Sequence, residues 1–245
     1  MNLLRKAVER LRLFTWKCFR TGRDRRDRKR LNSMAGSTSI LCCNCTGGIL
    51  SHNLGLPFRS PTVNLYMNAE DFIRFCENRD YYLQISRLVP CEDPEILAEH
   101  PYPVAQLGDL RLFLVHYDSL EKAQEKWNSR KKRLNPQQTV LICCDREGMT
   151  ESLKNRFEAL PDQKVMFTHL PDPGHKSSFY ISGYEAQDAV GIITMPEGWQ
   201  GRRAIDQFDY VSFLNDAASG KGKTRCEAYR RTSRREDRSG CDGRL

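Results

Sequence analysis

Short apolar runs of strand length, each closed by a polar residue, constrain this chain more than any other feature. ILCC at residues 40–43 stops at Asn44, and LICC at residues 141–144 stops at Asp145. Three more runs fit the pattern, VNLYM, LRLFLV and KVMFT, and VGIITM is a further run of strand length that ends at Pro196. Between the runs lie segments with helical spacing. Residues 69–84 carry Phe72, Ile73, Phe75 and Cys76, and residues 119–134 begin at Ser119 as an N-cap. A third helix follows Thr150, and a fourth is expected near residues 202–215. Buried runs alternating with helices predict an α/β fold: a mostly parallel, Rossmann-like sheet with helices on both faces. In such a sheet ligands bind beyond the carboxyl ends of the strands. Asn44, Cys45, His116, Asp145 and His169 all follow predicted strands, so they are expected on one rim.

Charge divides the chain into three parts. The net charge is +8, yet residues 1–32 hold 12 basic against 3 acidic side chains, and residues 216–245 hold 9 against 5. The middle is therefore mildly acidic, which argues against a nucleic-acid groove in the folded part. The expected organisation is residues 1–37 as a basic amphipathic helix and charged connector, 38–215 as the α/β domain, and 216–245 as a basic disordered tail. Leu4, Val8, Leu11 and Phe14 share one face of the first helix. Two readings of that helix stand open: it lies on an anionic membrane surface, or it docks on its own domain or a partner. No run reaches the roughly 18 to 20 apolar residues of a spanning helix, and no secretory signal is read. Ten Cys residues placed mostly in apolar runs point to a reducing cytoplasm rather than a disulfide framework. Peripheral attachment to the inner membrane face is the further expectation.

The stretch CCNCTGG at residues 42–48 carries the chemistry. A strand sends Cys42 and Cys43 to opposite faces, so no metal site is expected there. Cys45 lies past the strand, and Gly47 and Gly48 could bring backbone N–H groups to an anion or oxyanion. A Cys nucleophile needs a base held by a carboxylate. His116 and His169 both qualify as that base, with Asp145 as the orienting group. Arg130, on the lysine-rich helix with Trp127, is a candidate for holding a phosphate or carboxylate.

The order of these segments resembles a bacterial family of unknown function whose members are labelled exopolysaccharide or capsular polysaccharide biosynthesis proteins. The resemblance covers residues 38–215. That family shows Asn-Asn-Cys-Trp-Gly-Gly at the first strand end; here Asn44, Cys45, Gly47 and Gly48 match, while Cys43 and Thr46 replace the first Asn and the Trp. His116, Tyr117, Trp127, Arg130 and Asp145 match its later positions. A more distant likeness is to capsule enzymes that bind coenzyme A through an Asn-Cys turn. The resemblance implies a transferase acting on a cell-surface polysaccharide or sugar precursor, with acyl transfer from a coenzyme A thioester as the specific expectation. Cys45 is then nucleophile or donor contact, His116 base and Asp145 orienter. Asn44, Gly47, Gly48 and Arg130 bind the donor or its anion. Nucleotide-sugar-dependent glycosyl transfer through Asp145 and Glu147, and a noncatalytic scaffold in a polysaccharide assembly complex, are the alternatives.

Overall fold

The computed structural model describes residues 3–146, 148–221 and 225–231. Strand β1, Ser39–Cys42, and strand β5, Thr139–Cys144, are buried along their whole length. Backbone groups in such surroundings must find partners within the protein. They do so by pairing in parallel: β1 with β5, β5 with β6 (Gln163–Thr168), and β6 with β7 (Ser178–Tyr180). The sheet order is β1-β5-β6-β7, all parallel. Helix α7, Glu151–Ala159, makes the crossover from β5 to β6, and Thr150 caps it by accepting the Leu153 N–H.

The expected parallel rim loses one member. LRLFLV contains a strand, Leu110–Phe113 (β4), but it belongs to a separate antiparallel sheet. Its neighbours there are Val89–Pro90 (β2) and Val104–Leu107 (β3). Gly108 and Asp109 join β3 to β4 as a two-residue turn, and Gly108 has φ +63°. Glycine at the first turn position suits a tight hairpin. VNLYM forms no strand because Asn64 is left-handed, with φ 70°; only Tyr66 bridges to Phe113. VGIITM forms turns rather than a strand.

Helix boundaries also differ from expectation. The pattern at residues 69–84 divides at Asn78 into α3, Ala69–Glu77, and α4, Arg79–Gln84. Arg156 of α7 grips Glu70 and Glu77 of α3, at 2.9 and 2.7 Å. Helix α6, Leu120–Lys131, has the expected Ser119 cap. In place of one helix at 202–215 there is a 3-10 turn, Ala204–Gln207, followed by α8, Tyr210–Ala218.

The N-terminal helix α1 runs unbroken from Leu3–Arg30, so the charged connector is helical. Its second half is docked on the domain, which settles that half's reading. Arg20 reaches both Asp206 oxygens at 3.0 Å and Asp24 at 2.6 Å. Arg23 and Arg203 also meet Asp206, each at 3.2 Å. The Tyr210 hydroxyl donates to Asp27 at 2.5 Å. Trp16 seats so tightly on Gly201 that a Cβ there would lie 1.6 Å from its ring. Arg231 reaches back to Asp27 and Asp209, and Cys226 and Tyr229 are buried. Residues 225–231 are therefore part of the folded body rather than of a disordered tail; residues 232–245, assigned to the same tail, lie outside the described residues. Among the described residues no helix is long and apolar enough to cross a membrane.

Asp206 gives this docking a testable pH dependence. Burial pushes its carboxyl up, but Arg203 and Arg20 pull harder and hold it below the usual carboxylate range. A group with a depressed folded-state pKa stabilises the fold fully above its unfolded value, near 3.9. That contribution fades as pH falls through the lower folded value. Asp206→Asn should cost about 3–5 kcal/mol at neutral pH by leaving buried guanidinium groups uncompensated. It should also flatten the acid limb of thermal stability, read by circular dichroism across that range.

Candidate functional site

Two strand ends of the parallel sheet place a carboxylate against an imidazole. Asp145 follows β5 and His169 follows β6, and these strands are neighbours. Asp145 Oδ2 lies 2.6 Å from His169 Nδ1 and accepts the His169 backbone N–H at 2.7 Å. Its other oxygen accepts the Val190 N–H at 2.9 Å. The Asp145 side chain is 7% exposed and that of His169 is 20% exposed. A buried carboxylate bonded to Nδ1 fixes the tautomer and leaves Nε2 as the nitrogen able to take a proton. Chemically, a ring held in this way can accept a proton at Nε2.

His116 does not join this pair. It follows β4 in the antiparallel sheet, is exposed, and makes no hydrogen bond among the described residues. Its neighbour Tyr117 is the residue that turns inward. The Tyr117 hydroxyl donates to the Val63 carbonyl at 3.0 Å and accepts from Arg130 Nη1 at 2.7 Å. Burial pushes the Tyr117 phenol up, Arg130 draws it down, and the nearby Cys45 thiol adds to the rise. Tyr117 and Cys45 are thus neighbours that sequence reasoning did not pair.

Asn44 and the two glycines serve the packing of helix α2, Thr46–Leu54. Asn44 Oδ1 accepts the Thr46 N–H at 3.0 Å and the Cys42 thiol at 3.4 Å, and Nδ2 points to Cys144 Sγ at 3.4 Å. Asn44, expected to bind the donor or its anion together with Gly47 and Gly48, has its amide engaged within the fold. A Cβ on Gly47 would lie 2.7 Å from Cys42 Cβ, and one on Gly48 3.1 Å from Val63. These glycines let α2 approach β1 and the Val63 segment.

Arg130 is 7% exposed. It donates to the Val63 carbonyl at 2.9 Å and lies 5.4 Å from the Phe58 ring centre. It makes no salt bridge to a carboxylate among the described residues.

The cysteines cluster at the ends of β1 and β5. Cys43 and Cys144 have sulfurs 3.8 Å apart, and Cys42, Cys43, Cys143 and Cys144 are all buried. Burial pushes the Cys42 thiol up, but the Cys43 thiol and the Asn44 and Gly47 N–H groups draw it lower overall. Among the described residues no three of His, Cys, Asp or Glu are grouped to hold a metal ion. Cys45 is half-buried, and burial, with the Cys42 sulfur adding to it, pushes its thiol up to about 11.

Family comparison places most of this body in one domain. A domain of unknown function, DUF1919, matches residues 15–215. An uncharacterized protein from Haemophilus influenzae strain Rd is 40% identical over 180 residues, covering 73% of this chain and 84% of the relative.

Two measurements check the local account. Peptide mapping after iodoacetamide treatment should find the exposed Cys18 alkylated well before Cys45 near neutral pH, with Cys45 catching up only as pH nears 11. Equal rates at neutral pH would refute the burial of that thiol. Gly47→Ala should lower unfolding free energy by about 1–3 kcal/mol in denaturant titration, from overpacking against Cys42.

Proposed function

The chain belongs to the family of the domain of unknown function DUF1919, and on the geometry of its sheet rim we propose that it is a group-transfer enzyme with His169 as general base. The carrying observation is the bond from Asp145 Oδ2 to His169 Nδ1 at adjacent strand ends. Asp145 keeps the orienting role expected of it, and His169 takes the base role first assigned to His116. The acceptor in this reading is a hydroxyl of a cell-surface polysaccharide or its precursor, and the donor is a coenzyme A thioester. A Rossmann-like arrangement with helices on both sheet faces belongs to the same reading. It is supported by the parallel order β1-β5-β6-β7 and the α7 crossover. So does a cytoplasmic location, in keeping with nine free cysteines among the described residues.

In the proposed step His169 Nε2 takes the acceptor hydroxyl proton as the oxygen bonds to the thioester carbonyl carbon. The carbon–sulfur bond breaks, and the proton passes to the departing thiolate to give the free thiol. Cys45 and Tyr117 contact the donor, and Arg130 supplies positive charge for its phosphates. A nucleophilic Cys45 is disfavoured by its raised thiol pKa. Metal-dependent glycosyl transfer is disfavoured because both Asp145 oxygens already accept protein N–H groups; its other expected ligand, Glu147, lies outside the described residues.

Thermal shift with acyl-coenzyme A thioesters and nucleotide-sugars tests the donor, since a ligand that binds the folded state raises apparent stability. Acyl-coenzyme A should stabilise the wild type and His169→Ala alike. His169→Ala should lower transfer by about 10²–10⁴, and Asp145→Asn should lower it in the same direction, read as loss of the modification from surface glycan by mass spectrometry. A shift with nucleotide-sugars alone would replace acyl by glycosyl transfer. Folded variants that leave the glycan unchanged would overturn the enzyme reading in favour of a scaffold.

A further inference from the structure

Helix α1 has two faces with different fates. At 100° per residue, Trp16, Arg20, Arg23, Asp24 and Asp27 share the side that meets the domain. Val8, Leu11, Phe14 and Phe19 fall within an arc of about 140° on the opposite side. They are 46, 56, 65 and 54% exposed. These are large apolar side chains held away from the domain by the same ion pairs that dock the helix. Arg10, Arg12 and Lys17 are exposed around this stripe. The family match begins at residue 15, so most of the projecting half precedes it.

Trp199 extends the surface. Its carbonyl accepts from Thr15 Oγ1 of α1 at 3.4 Å, and its side chain is 50% exposed. An apolar face bordered by cations and a tryptophan matches the water–lipid boundary of an anionic bilayer, where acyl chains receive the apolar groups and headgroups face the cations.

We propose that residues 8–19 of α1, together with Trp199, seat this protein in the plane of an anionic phospholipid surface. A second copy of the chain would offer the same positive charge and oppose its own approach, whereas an anionic surface complements it. A helix segment that projects alone is marginal in water, and insertion supplies the burial that its outer face lacks.

The test is independent of any catalytic reading. The full chain is sedimented with phosphatidylcholine vesicles with and without phosphatidylglycerol. Binding is expected with phosphatidylglycerol only, with a blue shift of tryptophan emission that Trp199→Phe diminishes. Leu11→Glu with Phe14→Glu should abolish binding while leaving the melting temperature unchanged, because both side chains are exposed. Arg10→Gln and Arg12→Gln should each weaken partitioning about fivefold, and added salt should weaken it further. Failure to sediment with phosphatidylglycerol vesicles, or binding that survives the Leu11 and Phe14 substitutions, would overturn the proposal. So would a dimer in analytical ultracentrifugation that those substitutions dissociate, since the face would then belong to a second copy.

Discussion

Parallel pairing of β1, β5 and β6 is the constraint on which the rest of the molecule depends. These strands are apolar along their length and buried, so each backbone N–H and C=O must be satisfied by a neighbour. Parallel register brings Cys42 beside Ile142, and Cys144 beside Phe167. Each chain segment therefore leaves the sheet on the same edge, and the first residues able to carry polar side chains emerge together. The crowding of chemistry at that edge is a consequence of hydrogen-bond satisfaction in the interior.

The residues at the edge divide their hydrogen-bonding capacity differently. Asn44 spends its amide on Thr46, Cys42 and Cys144, all within the fold. Asp145 spends its oxygens on two backbone amides and one imidazole. His169 Nε2 makes no hydrogen bond among the described residues. The Asp145 carboxylate thus ties the Val190 backbone and both the backbone and the ring of His169 into one network.

Much of this was legible in the residues. The α/β class, the strands at SILCC, TVLICC and KVMFT, the Ser119 and Thr150 caps and the docking option for the first helix followed from periodicity and cap chemistry. Asp145 and His169 were both on the candidate roster, and the single-helix crossover between their strands was the signal that they must be neighbours. His116 was misplaced because LRLFLV has the apolarity of a parallel strand. The Leu-Gly-Asp-Leu turn before it was the sign of a hairpin. Asn64 broke VNLYM through its own backbone conformation, which apolar content does not report. The charged run at residues 20–30 read as a connector because its partners, Asp206, Asp209 and Tyr210, lie far away in sequence. The Val190 amide had no signature, since a backbone N–H has no residue type.

The loop that supplies Val190 leads back to the first helix. Ile193 of this loop accepts the Ile205 N–H at 2.9 Å. Ile205 lies in the same short turn as Asp206, which Arg20 of α1 grips from below. The route from Arg20 through Asp206, Ile205, Ile193 and Val190 to Asp145 is continuous in bonds and chain. Arg20 of α1 is thereby linked by contacts and chain to the loop whose Val190 N–H holds Asp145. Cutting away the helix would thus remove one end of that chain of contacts as well as an exposed apolar face.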